Sequence, residues 1–167
     1  GLFSTLSVAT WNMAFIVFLA GFKFPKAHPG MIVYPIVALS LILKQSVPTE
    51  DGSALINPAL EWHILLSLTA YSLFTLAAIQ SIILAIQEKR LRQRNLSGAI
   101  QNLPPLQSME SGLFQLISSG FVFLTIGLFT GFLFLDDIFA QHLVHKTILS
   151  LIAWCVFATL LWGRKQY

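Results

Sequence analysis

Charged side chains are scarce in this sequence of 167 residues, since Asp, Glu, Lys and Arg together make up only 10% of it. A soluble domain carries about 25% charged residues, so a chain with so few could not cover its surface in water. The net charge of +3 is small and scattered, which argues against nucleic acid as a partner. The single cysteine, Cys155, excludes an intramolecular disulfide and a cysteine-based metal site.

Apolar residues are abundant instead, at 56% of the chain. A helix needs about 20 consecutive apolar residues to cross the hydrocarbon core of a bilayer. The runs predict an all-α, polytopic transmembrane helix bundle with about five spans, in one domain covering 1–167. The predicted spans are 2–22, 30–47, 62–86, 113–135 and 143–162. The second run is short and contains Pro35, so a re-entrant segment is its alternative. Because the chain starts apolar and without methionine, we interpret it as a fragment.

Basic and acidic loops alternate between these runs. The basic residues follow the first, third and fifth runs, and the acidic residues follow the second and fourth. The positive-inside rule then predicts five crossings, with the start of the chain periplasmic, its end cytoplasmic and a basic cytoplasmic loop at 87–110. The basic residues are Lys23, Lys26, Lys89, Arg90, Arg92, Arg94, Arg164 and Lys165.

Four histidines are the polar residues best suited to carry chemistry. His28 lies in a predicted loop, where it reads as exposed, whereas His63, His142 and His145 all lie at the predicted outer side. A neutral imidazole is a common axial ligand of haem iron, and it also binds zinc or copper. From spacing alone, two interpretations of His63 stay open. It is either a ligand or a side chain that reaches the membrane–water interface beside Trp62. For His142 and His145 the interface reading is the stronger one.

Three glycines, Gly120, Gly127 and Gly131, lie on one stripe of the fourth span. Small residues at this spacing predict close helix packing, and room for a haem macrocycle is the alternative. Trp154 lies deep in the fifth span and is predicted to pack within the bundle. The sequence contains no phosphate-binding loop, no zinc-protease motif and no nucleophile with its base, so an enzyme is not expected.

Several motifs occur in an order that resembles one family. They are His63 with Leu66-Ser67-Leu68-Thr69-Ala70-Tyr71, then Leu103-Pro104-Pro105-Leu106, the G-F-x-x-L-T-x-G-x-x-x-G pattern from Gly120 to Gly131, and Lys146-Thr147-Ile148-Leu149-Ser150-Leu151-Ile152-Ala153-Trp154. Together they resemble the cytochrome c assembly superfamily of haem-handling membrane proteins (CcsA and CcmC), in its HemX-like branch. The resemblance implies a larger bundle of about eight spans, of which this chain is the middle.

The same resemblance implies that His63 is an axial ligand of b-type haem, paired with a histidine outside this chain. The tryptophan-rich outer segment of CcsA and CcmC is missing, and 143–146 keeps only the lysine of their Trp-Asp-Pro-Lys segment. His145 therefore inherits no role from the family, and attachment of haem to apocytochrome is not expected.

The expected function is a haem-associated protein of the bacterial inner membrane that binds or regulates haem without catalysis. Its expected partners are membrane lipid, haem, and a second copy or other inner-membrane proteins. For cofactor binding, His142 and His145 are weaker candidates than His63. Two alternatives stay open at this stage. One alternative is a component of divalent metal-ion transport or resistance, in which the three outer histidines could bind the cation. The other is a structural scaffold subunit.

Overall fold

The computed structural model describes residues 2–23, 30–46, 58–93, 104–134 and 141–166. These residues form five helices and, within the described ranges, no strand. The predicted all-α class is therefore confirmed, while His28 lies outside the described residues. The helices are α1 (Leu2–Lys23), α2 (Gly30–Ser46), α3 (Pro58–Arg92), α4 (Leu106–Phe134) and α5 (Gln141–Gln166).

Three of these helices are long and apolar enough to cross a membrane, over Leu60–Arg92, Leu106–Leu133 and Val144–Gln166. The described parts of α1 and α2 contain shorter apolar segments, Val8–Leu19 and Val33–Leu43. The architecture is that of a membrane protein. Crossings by α1 and α2 stay predictions.

Helices extend into the predicted cytoplasmic stretch at 87–110 from both sides. α3 continues to Arg92, whose guanidinium forms an ion pair with Glu88 at 2.9 Å, one turn earlier. Basic residues in a last turn also interact favourably with the helix dipole. α4 begins at Leu106 rather than at 113, since the carbonyl of Pro105 accepts the amides of Ser108 and Met109 and closes the first turn.

The helices pack in the spatial order α2, α1, α3, α4, α5, so each interior helix lies between two neighbours. The extensive interface of α3 is with α4, which follows it along the chain. A hydrophobic core joins the first three helices, and many large apolar side chains of the bundle are exposed, as expected in lipid. The core residues are Met13, Val17, Val33, Val37 and Leu76.

Two helix pairs are joined by the same kind of hydrogen-bond relay through a threonine. Asn12 Nδ2 of α1 donates to Thr69 Oγ1 of α3, and Trp154 Nε1 of α5 donates to Thr125 Oγ1 of α4, each at 3.0 Å. Each threonine hydroxyl donates in turn to a carbonyl oxygen of its own helix at 2.8 Å. Because a hydroxyl has one proton, such a threonine can only accept from its partner. Trp154 thus packs within the bundle, as predicted.

Replacing Thr69 by valine is expected to lower the free energy of unfolding by about 0.6 kcal/mol, and by no more than about 1.7, the range for hydrogen bonds between membrane helices. The cause is that Asn12 Nδ2 loses its acceptor. Thr75→Val is the matched control, because Thr75 Oγ1 bonds only the carbonyl of Tyr71 in its own helix. Denaturation in mixed micelles, followed by circular dichroism, measures both variants. Equal losses would contradict the relay.

Candidate functional site

The candidate site lies where the beginning of α3 meets the end of α4. α3 begins at Pro58, a residue favoured at the first helical position, and its second turn carries His63. His63 is half-buried and its Nδ1 lies 3.1 Å from Thr130 Oγ1 of α4. Thr130 Oγ1 lies in turn 3.0 Å from the carbonyl oxygen of Gly127. This is a third threonine relay, and here the partner of the threonine on the other helix is a histidine.

The relay favours one tautomer of the His63 ring. A carbonyl oxygen can only accept, so the single hydroxyl proton of Thr130 is donated to Gly127. With that hydroxyl donating to Gly127, the matching tautomer of His63 carries its hydrogen on Nδ1 and donates it to Thr130. In a neutral imidazole the other nitrogen, Nε2, is left with a free lone pair, and the lone-pair nitrogen is the one that binds metal. An anchored Nδ1–H with a free Nε2 is the usual arrangement of a metal-ligating histidine.

Gly131 fixes how closely the imidazole approaches α4. A Cβ atom at position 131 would lie 2.9 Å from His63 Cε1, closer than Cβ atoms approach other atoms in real structures. Glycine therefore leaves the space that the ring occupies. The next glycine along the stripe, Gly127, is less crowded, since its Cβ would lie 3.4 Å from Ser67 Oγ.

Gly120 has a comparable role nearer the beginning of α4. A Cβ there would lie 2.9 Å from Cε1 of Phe74 in α3. The Phe74 ring also stacks on the ring of Phe157 in α5. The two ring centroids are 4.0 Å apart and the planes differ by 6°. The three glycines thus face α3 at successive levels, and the level of Gly131 receives an imidazole.

The other histidines are not brought to this site. His145 is exposed near the beginning of α5 and makes no hydrogen bond or ion pair with the described residues. His142 belongs to the first turn of α5, but its side chain lies outside the described residues. Across the described ranges, no three His, Cys, Asp or Glu side chains gather as a metal site. No observation therefore favours the metal-transport alternative.

Thr130 is the site residue that sequence reasoning missed. Its position between Gly127 and Gly131 placed it inside the packing motif, but its partner is 67 residues away in the sequence. A threonine three residues after one motif glycine and next to another was the available signal.

A profile of the family described as "Cytochrome C assembly protein" matches residues 2–167. The chain is 35% identical to the inner membrane protein YpjD of Escherichia coli K12 over 133 residues, which are 79% of this chain and 50% of that protein. It is 23% identical to protein HemX of Brevibacillus brevis over 141 residues, 83% of this chain and 51% of that protein. The chain thus spans about half the length of these curated relatives. No solved structure matches it.

The family match and the two relatives agree with the resemblance drawn from the motifs, including its HemX-like branch. That resemblance is confirmed. The match runs through all five helices, so it includes both His63 and Thr130. This chain belongs to the cytochrome c assembly protein family.

Proposed function

We propose that this chain is a haem-binding module of a bacterial inner membrane protein, with His63 as an axial ligand of b-type haem. The family description and the name of the YpjD relative support the setting. The ligand role is supported by the relay in which His63 Nδ1 donates to Thr130 and Nε2 is left unprotonated. That relay is the observation that carries the proposal.

The residues present fit such a group. His63 is half-buried, so its ring is not fully enclosed by the α3–α4 interface. Thr130 holds the ring through Nδ1 and Gly131 sets its distance from α4. Haem iron takes a neutral imidazole nitrogen as one axial ligand and would supply redox or ligand-binding chemistry. A second axial histidine would come from outside this chain.

We infer binding or regulation of haem rather than catalysis. The His63 and Thr130 side chains bond to each other and to the helix backbone, which leaves the Nε2 lone pair of His63 for a ligand. This division suits a residue that holds a cofactor. The family description, that of an assembly protein, supports a binding role for this residue.

The proposed orientation has the start of the chain periplasmic and its end cytoplasmic. The last turns of α3 and α5 both carry basic residues. They lie at one end of the bundle, because Gln87 of α3 donates to the carbonyl of Pro104 just before α4, and Arg164 of α5 lies over the Phe114 ring near its beginning. Basic residues gathered at one end support a cytoplasmic location for that end. His63 would then lie towards the periplasm.

Haem titration of the purified full-length protein tests the proposal. The wild-type protein is expected to give the spectrum of a histidine-ligated haem. Thr130→Val is expected to weaken haem binding by about 10- to 100-fold, as for the loss of partners that orient metal-bound histidines. Valine has the shape of threonine but cannot accept the Nδ1 hydrogen.

Two control variants separate the relay from packing. Thr130→Ser keeps the hydroxyl and is expected to bind haem like the wild type. Thr159→Val removes a hydroxyl on α5 that, among the described residues, bonds the carbonyl of Val156 in its own helix alone, and haem binding should not change. A wild-type protein without a haem spectrum would overturn the proposed function. Normal binding by Thr130→Val would overturn the role of the relay.

A further inference from the structure

A second site lies at the opposite end of the bundle from His63. An open groove of about 550 Å³ runs between the first half of α4 and the last turn of α5. Its α4 side carries three serines and a glutamine, and its α5 side carries two cations. The residues that the argument uses are Ser111, Phe114, Ser118, Ser119, Arg164 and Lys165.

The two cations of the groove are available to an anion. Among the described residues, Arg92 and Glu88 form an ion pair, and neither Arg164 nor Lys165 has a carboxylate partner. The Arg164 guanidinium carbon lies 3.7 Å from the centroid of the Phe114 ring. Stacking on an aromatic face holds the guanidinium in place and leaves its N–H groups free to donate in the plane.

The serines of the groove also lack partners. Elsewhere in the bundle hydroxyls bond to carbonyls of their own helix, as Thr125 does at 2.8 Å. The exposed side chains of Ser118 and Ser119 make no hydrogen bond within the described part of the chain. They lie within the predicted span, where an unpartnered polar group is costly in lipid. A ligand that accepts from these hydroxyls would remove that cost.

The groove is separate from the haem site. At 1.5 Å per residue, Ser119 lies roughly 18 Å and Ser111 roughly 30 Å from Gly131 along the α4 axis. A haem held by His63 cannot fill it. The groove is lined by two cations, by hydroxyls and by Leu161 of α5. The neighbouring residues of α5 add an exposed apolar surface, with Leu160 40% exposed and Trp162 72% exposed.

We propose that this groove binds the headgroup of an anionic phospholipid. The phosphate lies against Arg164 and Lys165, the ester oxygens accept from Ser118 and Ser119, and the acyl chains lie along α5. Basic pockets between helices on the cytoplasmic side suit anionic headgroups. A soluble phosphate would match the cations but would gain nothing from the deeper hydroxyls and the apolar face.

Native mass spectrometry of the purified full-length protein, with added phosphatidylglycerol or phosphatidylcholine, tests this site. Phosphatidylglycerol is expected to bind at least about tenfold more tightly than phosphatidylcholine, and R164Q/K165Q to lose that preference, as expected for removal of two interfacial charges. S118L/S119L keeps the cations but fills the groove with apolar side chains, and should also lose phosphatidylglycerol.

The matched control is K89Q/R90Q, which removes the same charge from the end of α3, outside the groove. It should change the affinity by less than about twofold, because nonspecific surface attraction is shared among all the basic residues. An equal loss in this control, or equal binding of the two lipids, would overturn the site. Displacement of the lipid by inorganic phosphate at millimolar concentration would show that phosphate alone is recognised and would overturn a lipid ligand. Haem binding should be unchanged in R164Q/K165Q. A failure of the lipid site would therefore be distinguishable from a failure of the proposed haem-binding function.

Discussion

His63→Ala is expected to remove all specifically bound haem from the full-length protein while leaving the helix bundle folded. The substitution takes away the nitrogen proposed as axial ligand, and no neighbouring side chain among the described residues can replace it. The Thr130 hydroxyl still donates to the carbonyl of Gly127, so its hydrogen keeps an acceptor. The fold should therefore survive even though the ligand is lost. A pyridine haemochrome assay measures the haem content, and circular dichroism measures the helicity.

His145→Ala is the matched control for this substitution. It removes an imidazole from an exposed position near the beginning of α5, with no hydrogen bond to the described residues. Haem content is expected to stay at the wild-type level. Unchanged haem content in His63→Ala would contradict the ligand assignment. A haem loss in His145→Ala equal to that in His63→Ala would instead place the exposed histidine in the site.

Gly120→Leu is expected to lower the free energy of unfolding by about 2–3 kcal/mol, near the top of the usual range for overpacking. A Cβ at this position would lie 2.9 to 3.2 Å from three atoms of the Phe74 ring. That ring cannot move away freely, because its other face stacks on Phe157 with centroids 4.0 Å apart. Leucine must therefore separate α3 from α4 or break the aromatic pair between α3 and α5.

Gly127→Ala provides the comparison for Gly120→Leu, together with Gly120→Ala. The added Cβ at position 127 would make an ordinary contact, 3.4 Å from Ser67 Oγ, so the change should stay within about 0.5 kcal/mol. Gly120→Ala should fall between the other two variants. Denaturation curves in mixed micelles give the three values. Equal stabilities of Gly120→Leu and Gly127→Ala would show that the α3–α4 interface can relax around the ring.

The helices were predictable from the sequence, but their ends were only partly so. A run of apolar residues reports the part of a helix that crosses lipid, whereas the helix itself stops where its backbone bonds can no longer be made. α3 therefore extends to Arg92 beyond the apolar run, and α4 begins directly after Pro104 and Pro105. Hydropathy does not record an ion pair such as Glu88–Arg92 or a turn closed by the Pro105 carbonyl.

One of the two residues of the candidate site, His63, was predictable from the sequence. A histidine in an apolar chain stands out by its chemistry, so His63 could be named from the sequence. Thr130 could not, because threonine is ordinary in a membrane helix and usually bonds its own backbone, as Thr75 does. Its second role depends on the register between α3 and α4, which places the residues together across 67 positions of sequence. Only the packed structure supplies that register.

α5 is held to the bundle differently from the other helices. Its membrane-spanning stretch contains no fully buried residue, and its described links are an indole hydrogen bond, ring contacts and a guanidinium over a ring. Lipid tails are as apolar as its own side chains, so leaving the bundle costs α5 little in hydrophobic burial. In these five helices taken by themselves, opening should therefore begin at α5, as a local event below the energy of global unfolding. Amide hydrogen exchange in this helix would then run ahead of exchange in α3, and headgroups bound between α4 and α5 would slow it.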